Sequence, residues 1–208
     1  MRIYRRILLA STLAASLFAG ATVHASQLEQ IKKKGELVVG ILGTDEPNSF
    51  IDPKTREYIG YEVDLAKEVA AKMGVKPVFK QVAVAARIPE LQQGRIDMLA
   101  ASLTHNKERE AQIDFSLTHL LTGSKVMVKK SSKITDVKQL AGKKALTVKG
   151  GTQGPNLLRA VPNAEIVTFE TSQQAFQALQ QGKGQAYLND EVSLLSVVSK
   201  LGSAGANY

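Results

Sequence analysis

Leu91-Gln92-Gln93-Gly94 runs into Ile96-Asp97-Met98-Leu99, and the same device returns as Leu179-Gln180-Gln181-Gly182 ahead of Gln185-Ala186-Tyr187-Leu188. In both copies a glycine closes a helix and the chain turns into an apolar strand. Around the first copy, Val63, Leu65, Ala66, Val69, Ala70 and Met73 recur at helical spacing, and Gly74 ends that helix. Apolar runs predict strands at 37–41, 75–82 and 96–100 and a helix at 89–93, with a hairpin through Asp52-Pro53. Around the second copy the order repeats: strand 145–148, helix 155–160, strand 165–169, helix 172–181, strand 185–188. Alternation of this kind builds α/β lobes with mixed sheets flanked by helices. Two similar lobes imply a cleft between them, with ligands expected beyond the carboxyl ends of the strands.

Composition limits what such a cleft can do. The chain has 208 residues, 44% of them hydrophobic and 5% aromatic, which suits an ordinary globular core. Arg2, Arg5 and Arg6 precede the uncharged run Ile7 to Val23, and Val23-His24-Ala25 offers a small-x-small cleavage site. Residues 1–25 therefore read as a secretory signal peptide rather than a membrane anchor. Removing them leaves 24 basic residues against 19 acidic ones. The lysines are scattered and not interleaved with aromatics, so a nucleic-acid surface is not expected, while a mild positive field favours an anionic ligand. Cysteine is absent. That excludes a disulfide framework, a thiolate metal site and a lipid-bearing cysteine after the signal, and points to a free periplasmic protein.

Catalytic patterns are weak. His105 and His119 are too few for a zinc site, no G-x-S-x-G elbow occurs, and Lys149-Gly150-Gly151-Thr152-Gln153-Gly154 lacks the lysine and hydroxyl ending of a phosphate loop. No catalytic residue, metal or cofactor is expected. The glycine loop reads either as a plain tight turn or as a carboxylate cradle of backbone N–H groups. Strand 96–100 delivers Ser102 and Thr104 to the cleft mouth. Arg109 follows on a short helix, where it could fork onto a carboxylate or form a surface ion pair with Glu108, Glu110 or Asp114.

The order Gly60-Tyr61-Glu62-Val63-Asp64-Leu65-Ala66, then Ile88-Pro89-Glu90-Leu91-Gln92-Gln93-Gly94-Arg95-Ile96-Asp97, Thr104 through Glu108-Arg109, and Ile113-Asp114-Phe115-Ser116 resembles the polar amino-acid-binding proteins of ABC importers, solute-binding family 3. Leu140-Ala141-Gly142-Lys143-Lys144 and Gly151-Thr152 continue the match through nearly all the mature chain. The pattern is nearest to glutamate- and aspartate-binding members. The resemblance implies a type II two-lobe periplasmic-binding fold: lobe 1 over 26–123, a hinge strand over 124–130 and lobe 2 over 131–208. It also implies that the chain stops before elements that complete both lobes.

By the same resemblance, Arg109 pairs with the ligand α-carboxylate, helped by the Thr104 hydroxyl and the N–H groups of Thr152 and Gln153. Asp190 takes the α-ammonium, joined by a hydroxyl or carbonyl of Ser102; Asp190 also suits the N-cap of the helix that follows it. Arg87 resembles an arginine of the acidic-amino-acid binders and would meet a side-chain carboxylate, the other reading being a solvent-facing arginine near Glu90. Leu42 and Asn48 depart from that subgroup, which carries basic and aromatic residues there. The implied function is capture of an amino acid, glutamate or aspartate, for an inner-membrane ABC permease, by a monomer that closes its lobes at a hinge. The rivals are a periplasmic dehydratase acting on prephenate-like carboxylates and a ligand-sensing domain. The former needs a cleft general acid, and no perturbed carboxylate pair is evident from the sequence.

Overall fold

A computed structural model of the protein describes residues 26–208; the expected signal peptide lies outside the described residues. Helix α1 (Gln27–Lys34) is capped by the Ser26 hydroxyl and stopped by Gly35 in the left-handed region. It leads into β1 (Glu36–Ile41), which takes β5 (Lys76–Gln81) and β6 (Met98–Leu99) as parallel neighbours in the order β5-β1-β6. The short strands β2 (Thr44–Asp45), β3 (Ser49–Ile51) and β4 (Tyr58–Ile59) form a separate antiparallel sheet, so the expected hairpin turns between β3 and β4. Helix α2 (Tyr61–Met73) buries Val63, Ala66 and Ala70 at helical spacing against Leu37, Val39 and Ile41 of β1.

The second lobe is one four-stranded sheet, ordered β7 (Ser124–Val128), β10 (Ala186–Asp190), β8 (Lys144–Val148), β9 (Glu165–Phe169). Helices α5 (Gln153–Ala160) and α6 (Ser172–Gln180) cover its opposite faces. The period-2 rule is visible in the cores. Ala145, Ala186 and Leu188 pack with Leu157 of α5, whereas Leu146 and Tyr187 pack with Ala175 and Leu179 of α6. The stretch expected as the hinge strand forms β7, which pairs antiparallel with β10 along its whole length. Backbone hydrogen bonds make it the edge of this sheet, and the connection between lobes is the irregular segment 111–123 before it.

The repeated glycine device is realised twice with the same bonds. Gly94 (φ +65°) follows helix α3 (Arg87–Gln92), and Gly182 (φ +73°) follows α6. In each, the next residue's N–H reaches back five positions, Arg95 to Glu90 and Lys183 to Ala178, closing the last helical turn.

Candidate functional site

The cleft lies where strand ends of both lobes meet. From the first lobe come the loop after β1, the start of α3, residues 101–104, and Arg109 on helix α4 (Lys107–Glu110). From the second come the loop 150–152, Gln153, and Asn189-Asp190 at the end of β10. One cavity thus gathers Arg109, Thr104, Ser102, Thr152, Gln153, Asp190 and Arg87, all seven residues singled out in the sequence.

Asn106 caps α4 with its side chain on the Arg109 N–H, which sets the arginine at the cleft rim. The Arg109 guanidinium is half-buried. It donates to the carbonyls of Thr104 at 2.9 Å and Gly150 at 3.0 Å, the second across the cleft, and to no carboxylate among the described residues. The expected surface partners are engaged elsewhere or too far, Glu110 for instance pairing with His105. Burial lowers the Arg109 pKa, yet the group remains a cation at neutral pH.

Arg87 departs from one of its two sequence expectations. It is 3% exposed, so it is not a solvent-facing residue near Glu90; that carboxylate instead binds Lys80 and Arg95. Its fork donates to the carbonyls of Val84 (2.8 Å), Ala101 (2.7 Å), Ser102 (2.9 Å) and, in the other lobe, Gly150 (3.3 Å). Four of its five N–H groups are thereby used. Burial, and next the neighbouring Arg109, lowers its pKa to about 10.

Asp190 sits at the N-cap position of α7 (Glu191–Lys200) but makes no capping bond with its side chain. Its Oδ1 accepts from the Gln153 amide at 2.9 Å, and burial raises its pKa. Gln153 therefore enters through its side chain as well as through the amide N–H at the start of α5, where the first helical N–H groups lack intrahelical acceptors. Thr152 lies beside it at the N-cap position. The Thr104 side chain is exposed at the rim, where its carbonyl receives Arg109.

Ser102 ties the site to carboxylates that the sequence reading passed over. Its backbone is left-handed (φ +50°), a strained state for a non-glycine residue. Its N–H donates to Glu62 Oε1 at 2.6 Å, and its hydroxyl donates to Asp45 Oδ2 at 2.8 Å. Asp45 also accepts from the Asn48 amide and, across the cleft, from the Ser193 hydroxyl. Glu62 is 4% exposed, and its pKa rises to about 7, chiefly through burial and also through the charge of Asp45. Cleft carboxylates perturbed by burial, Glu62 and Asp190, therefore exist, contrary to the sequence expectation. The signal was present in α2: Glu62 lies one turn before Ala66, on the face that the helix buries.

Among the described residues no cluster suits a metal ion, and no helix is long and apolar enough to cross a membrane. Residues 37–193 match the sequence profile of the bacterial extracellular solute-binding proteins, family 3. The chain belongs to that family. Among relatives of this family 3 chain, the glutamine-binding protein of Geobacillus stearothermophilus is 36% identical over 171 residues, 80% of this chain. The chain spans 65% of that relative's length. The L-glutamate/L-aspartate-binding protein of Pseudomonas aeruginosa is 29% identical, over 96% of this chain and 70% of its own. The crystal structure of the ancestral amino acid-binding protein AncCDT-1, a precursor of cyclohexadienyl dehydratase, superposes with a TM-score of 0.79 at 33% identity. That match covers 85% of this chain and 78% of the other. The two-lobe α/β architecture expected from the sequence is thus shared with solved amino-acid-binding proteins.

Proposed function

We propose that this chain captures a free α-amino acid outside the cytoplasm, without altering it, and presents it to an ABC importer. One observation carries the reading. The half-buried Arg109 guanidinium, with no carboxylate partner among the described residues, shares a cleft with the Asp190 carboxylate. A cation and an anion on opposed lobes complement the carboxylate and ammonium of a zwitterion. The amide N–H groups at Thr152 and Gln153 add donors for the carboxylate, and the hydroxyl of Thr104 a further one. Lobe closure about segment 111–123 would seal the ligand from water. Docking to an inner-membrane permease as a monomer follows from the importer role, as does export by the N-terminal signal.

Glutamate or aspartate as the ligand rests on Arg87, and the four carbonyls on its guanidinium weigh against that choice. Calorimetry of the purified protein against the common amino acids tests the proposal. Arg109→Ala should weaken every amino acid that binds by about a hundredfold or more; unchanged binding would reject Arg109 as the anchor.

A second reading has its own observation: Glu62, near neutrality in its pKa, is a general acid in reach of the cleft, as a dehydratase would need. Family relatives named for binding favour capture. Incubation with prephenate should leave it unconverted beyond the spontaneous rate.

A further inference from the structure

The cleft continues on two sides of the anchor, and the two sides differ in charge. Toward the loop 149–151, the walls carry Arg87, Arg109, Lys149 and Arg159 against a single carboxylate, Glu108. On the other side a cavity of about 420 Å³ is lined by Glu62 and Asp190, with Asn48, Ser102 and Thr104 between them, and by no lysine or arginine. The cavity and the anchor site share Ser102, Thr104, Thr152 and Asp190, so a ligand held at Arg109 and Asp190 has this chamber as the room for its side chain.

Glu62 is unusual in that wall. Oε1 is occupied by the Ser102 N–H and lies 3.3 Å from the Ser102 hydroxyl. Oε2 is fully buried and has no hydrogen-bond partner. A buried carboxylate oxygen without a partner is costly, and in native structures such a group calls for an explanation. Arg87 does not supply it: four of its five N–H groups go to the Val84, Ala101, Ser102 and Gly150 carbonyls, and none bonds Oε2. The Ser102 hydroxyl has one proton and already has Asp45 as an acceptor.

We propose that Glu62 is a specificity residue whose carboxylate, with one oxygen left unpaired behind the chamber wall, turns to meet a cationic side chain, so that the ligand is a basic amino acid of the lysine or arginine class. This rests on the capture reading above and names its substrate class. A lysine-type ligand matches the charge order across the cleft: carboxylate at Arg109, ammonium at Asp190, and a distal cation in the chamber that lacks one. A chamber of this volume is ample for the side chain of lysine or arginine. An acidic side chain would place its charge beside two carboxylates with no cation on the wall, which costs several kcal/mol at such a site. Glu62, near neutral pH in its titration and facing Asp45, Arg87 and Ser102, would yield its proton as the cation arrives.

Calorimetry separates the possibilities. The native protein should bind arginine or lysine at least about tenfold more tightly than glutamate. Binding of the basic ligand at pH 7, measured in buffers of different ionisation enthalpy, should release a fraction of a proton; binding of alanine should release none. Glu62→Gln keeps an acceptor for the Ser102 N–H; it should lower the arginine-to-glutamate affinity ratio by about tenfold or more. Glutamate binding most tightly, or an arginine-to-glutamate ratio unmoved in Glu62→Gln, would overturn the assignment while leaving capture intact. Proton linkage read on the unaltered protein decides the matter if the variant folds poorly. Failure of every amino acid to bind the native protein would overturn the capture reading and this one together.

Discussion

The Ser193 hydroxyl, on the first turn of α7 in the second lobe, donates a 2.9 Å hydrogen bond to Asp45 Oδ1 in the first. Both residues are buried, and the bond joins positions 148 apart in the chain. A further bridge, Lys200 to Glu46, lies nearby on the surface. The closed arrangement of the lobes is therefore held by polar contacts as well as by any ligand. Ser193→Ala should lower stability by about 1 kcal/mol. It should also raise the radius of gyration of the ligand-free protein in X-ray scattering, whereas Lys200→Ala, an exposed pair, should do neither measurably.

The lobes also approach closely at Gly150. Its φ is +81°, and a Cβ built there would lie 2.7 Å from the Cα of Ala85 in the opposite lobe. Gly150→Ala adds about 1–2 kcal/mol of backbone strain and a contact that backbone cannot relieve by a rotamer change. The variant should populate an opened form, seen as an increased radius of gyration and a slower association rate or weaker affinity for the ligand. An unchanged scattering profile would mean that the lobes do not meet there in solution.

Arg87 is expected to behave as a brace rather than as a reader of the ligand. Losing its bonds to the Ala101, Ser102 and Gly150 carbonyls would also remove the cation nearest Asp45 and Glu62. Arg87→Ala should therefore cost about 3 kcal/mol or more in denaturant unfolding. Arg95→Ala, which breaks an exposed pair with Glu90, should stay within about 0.5 kcal/mol. A small effect for Arg87→Ala together with a selective loss of glutamate binding would restore the acidic-ligand reading.

Glu62 makes stability depend on pH with a definite sign. Its pKa is raised from 4.5 to about 7 on folding, so between these values the folded protein keeps a proton that the unfolded chain has released. Its contribution is then most favourable below about 4.5, declines as pH rises, and is fully adverse above about 7. The swing is on the order of 3 kcal/mol. Asp190, also raised by burial, acts in the same direction. Thermal unfolding followed from pH 5 to pH 8 should show the decline in the native protein and a flatter profile in Glu62→Gln. Equal slopes would mean that Glu62 titrates normally.

Much of the fold was legible because it is written in local patterns. The helical spacing of Val63, Ala66 and Ala70, the alternation along β8 and β10, and the glycine stops at Gly94 and Gly182 each depend on neighbours a few residues away. The same locality placed Ser102, Thr104 and Asp190 at or just past strand ends and Arg109 on a short helix close by, and the structure brings all four to one cleft. The pairing of 124–128 was not legible because strand pairing is not local: its partner is β10, more than fifty residues downstream.

What only the tertiary structure decided is which polar groups face one another. Arg87 carries the same charge whether it meets a ligand or four carbonyls, and no spacing rule foretells that Gly150 of the other lobe closes over it. Asp45 looks like a loop acid, and the helical spacing that puts Glu62 on the buried face of α2 names no partner for it, until Ser102 and Ser193 reach the two carboxylates from elsewhere in the chain. Hydrogen bonding and desolvation act through space over a few ångströms, while the sequence orders residues along a line. The amino-acid order alone therefore determined the lobes and the place of Arg109 at their rim, and the packing of the two lobes determined the buried carboxylates and the carbonyl partners of Arg87.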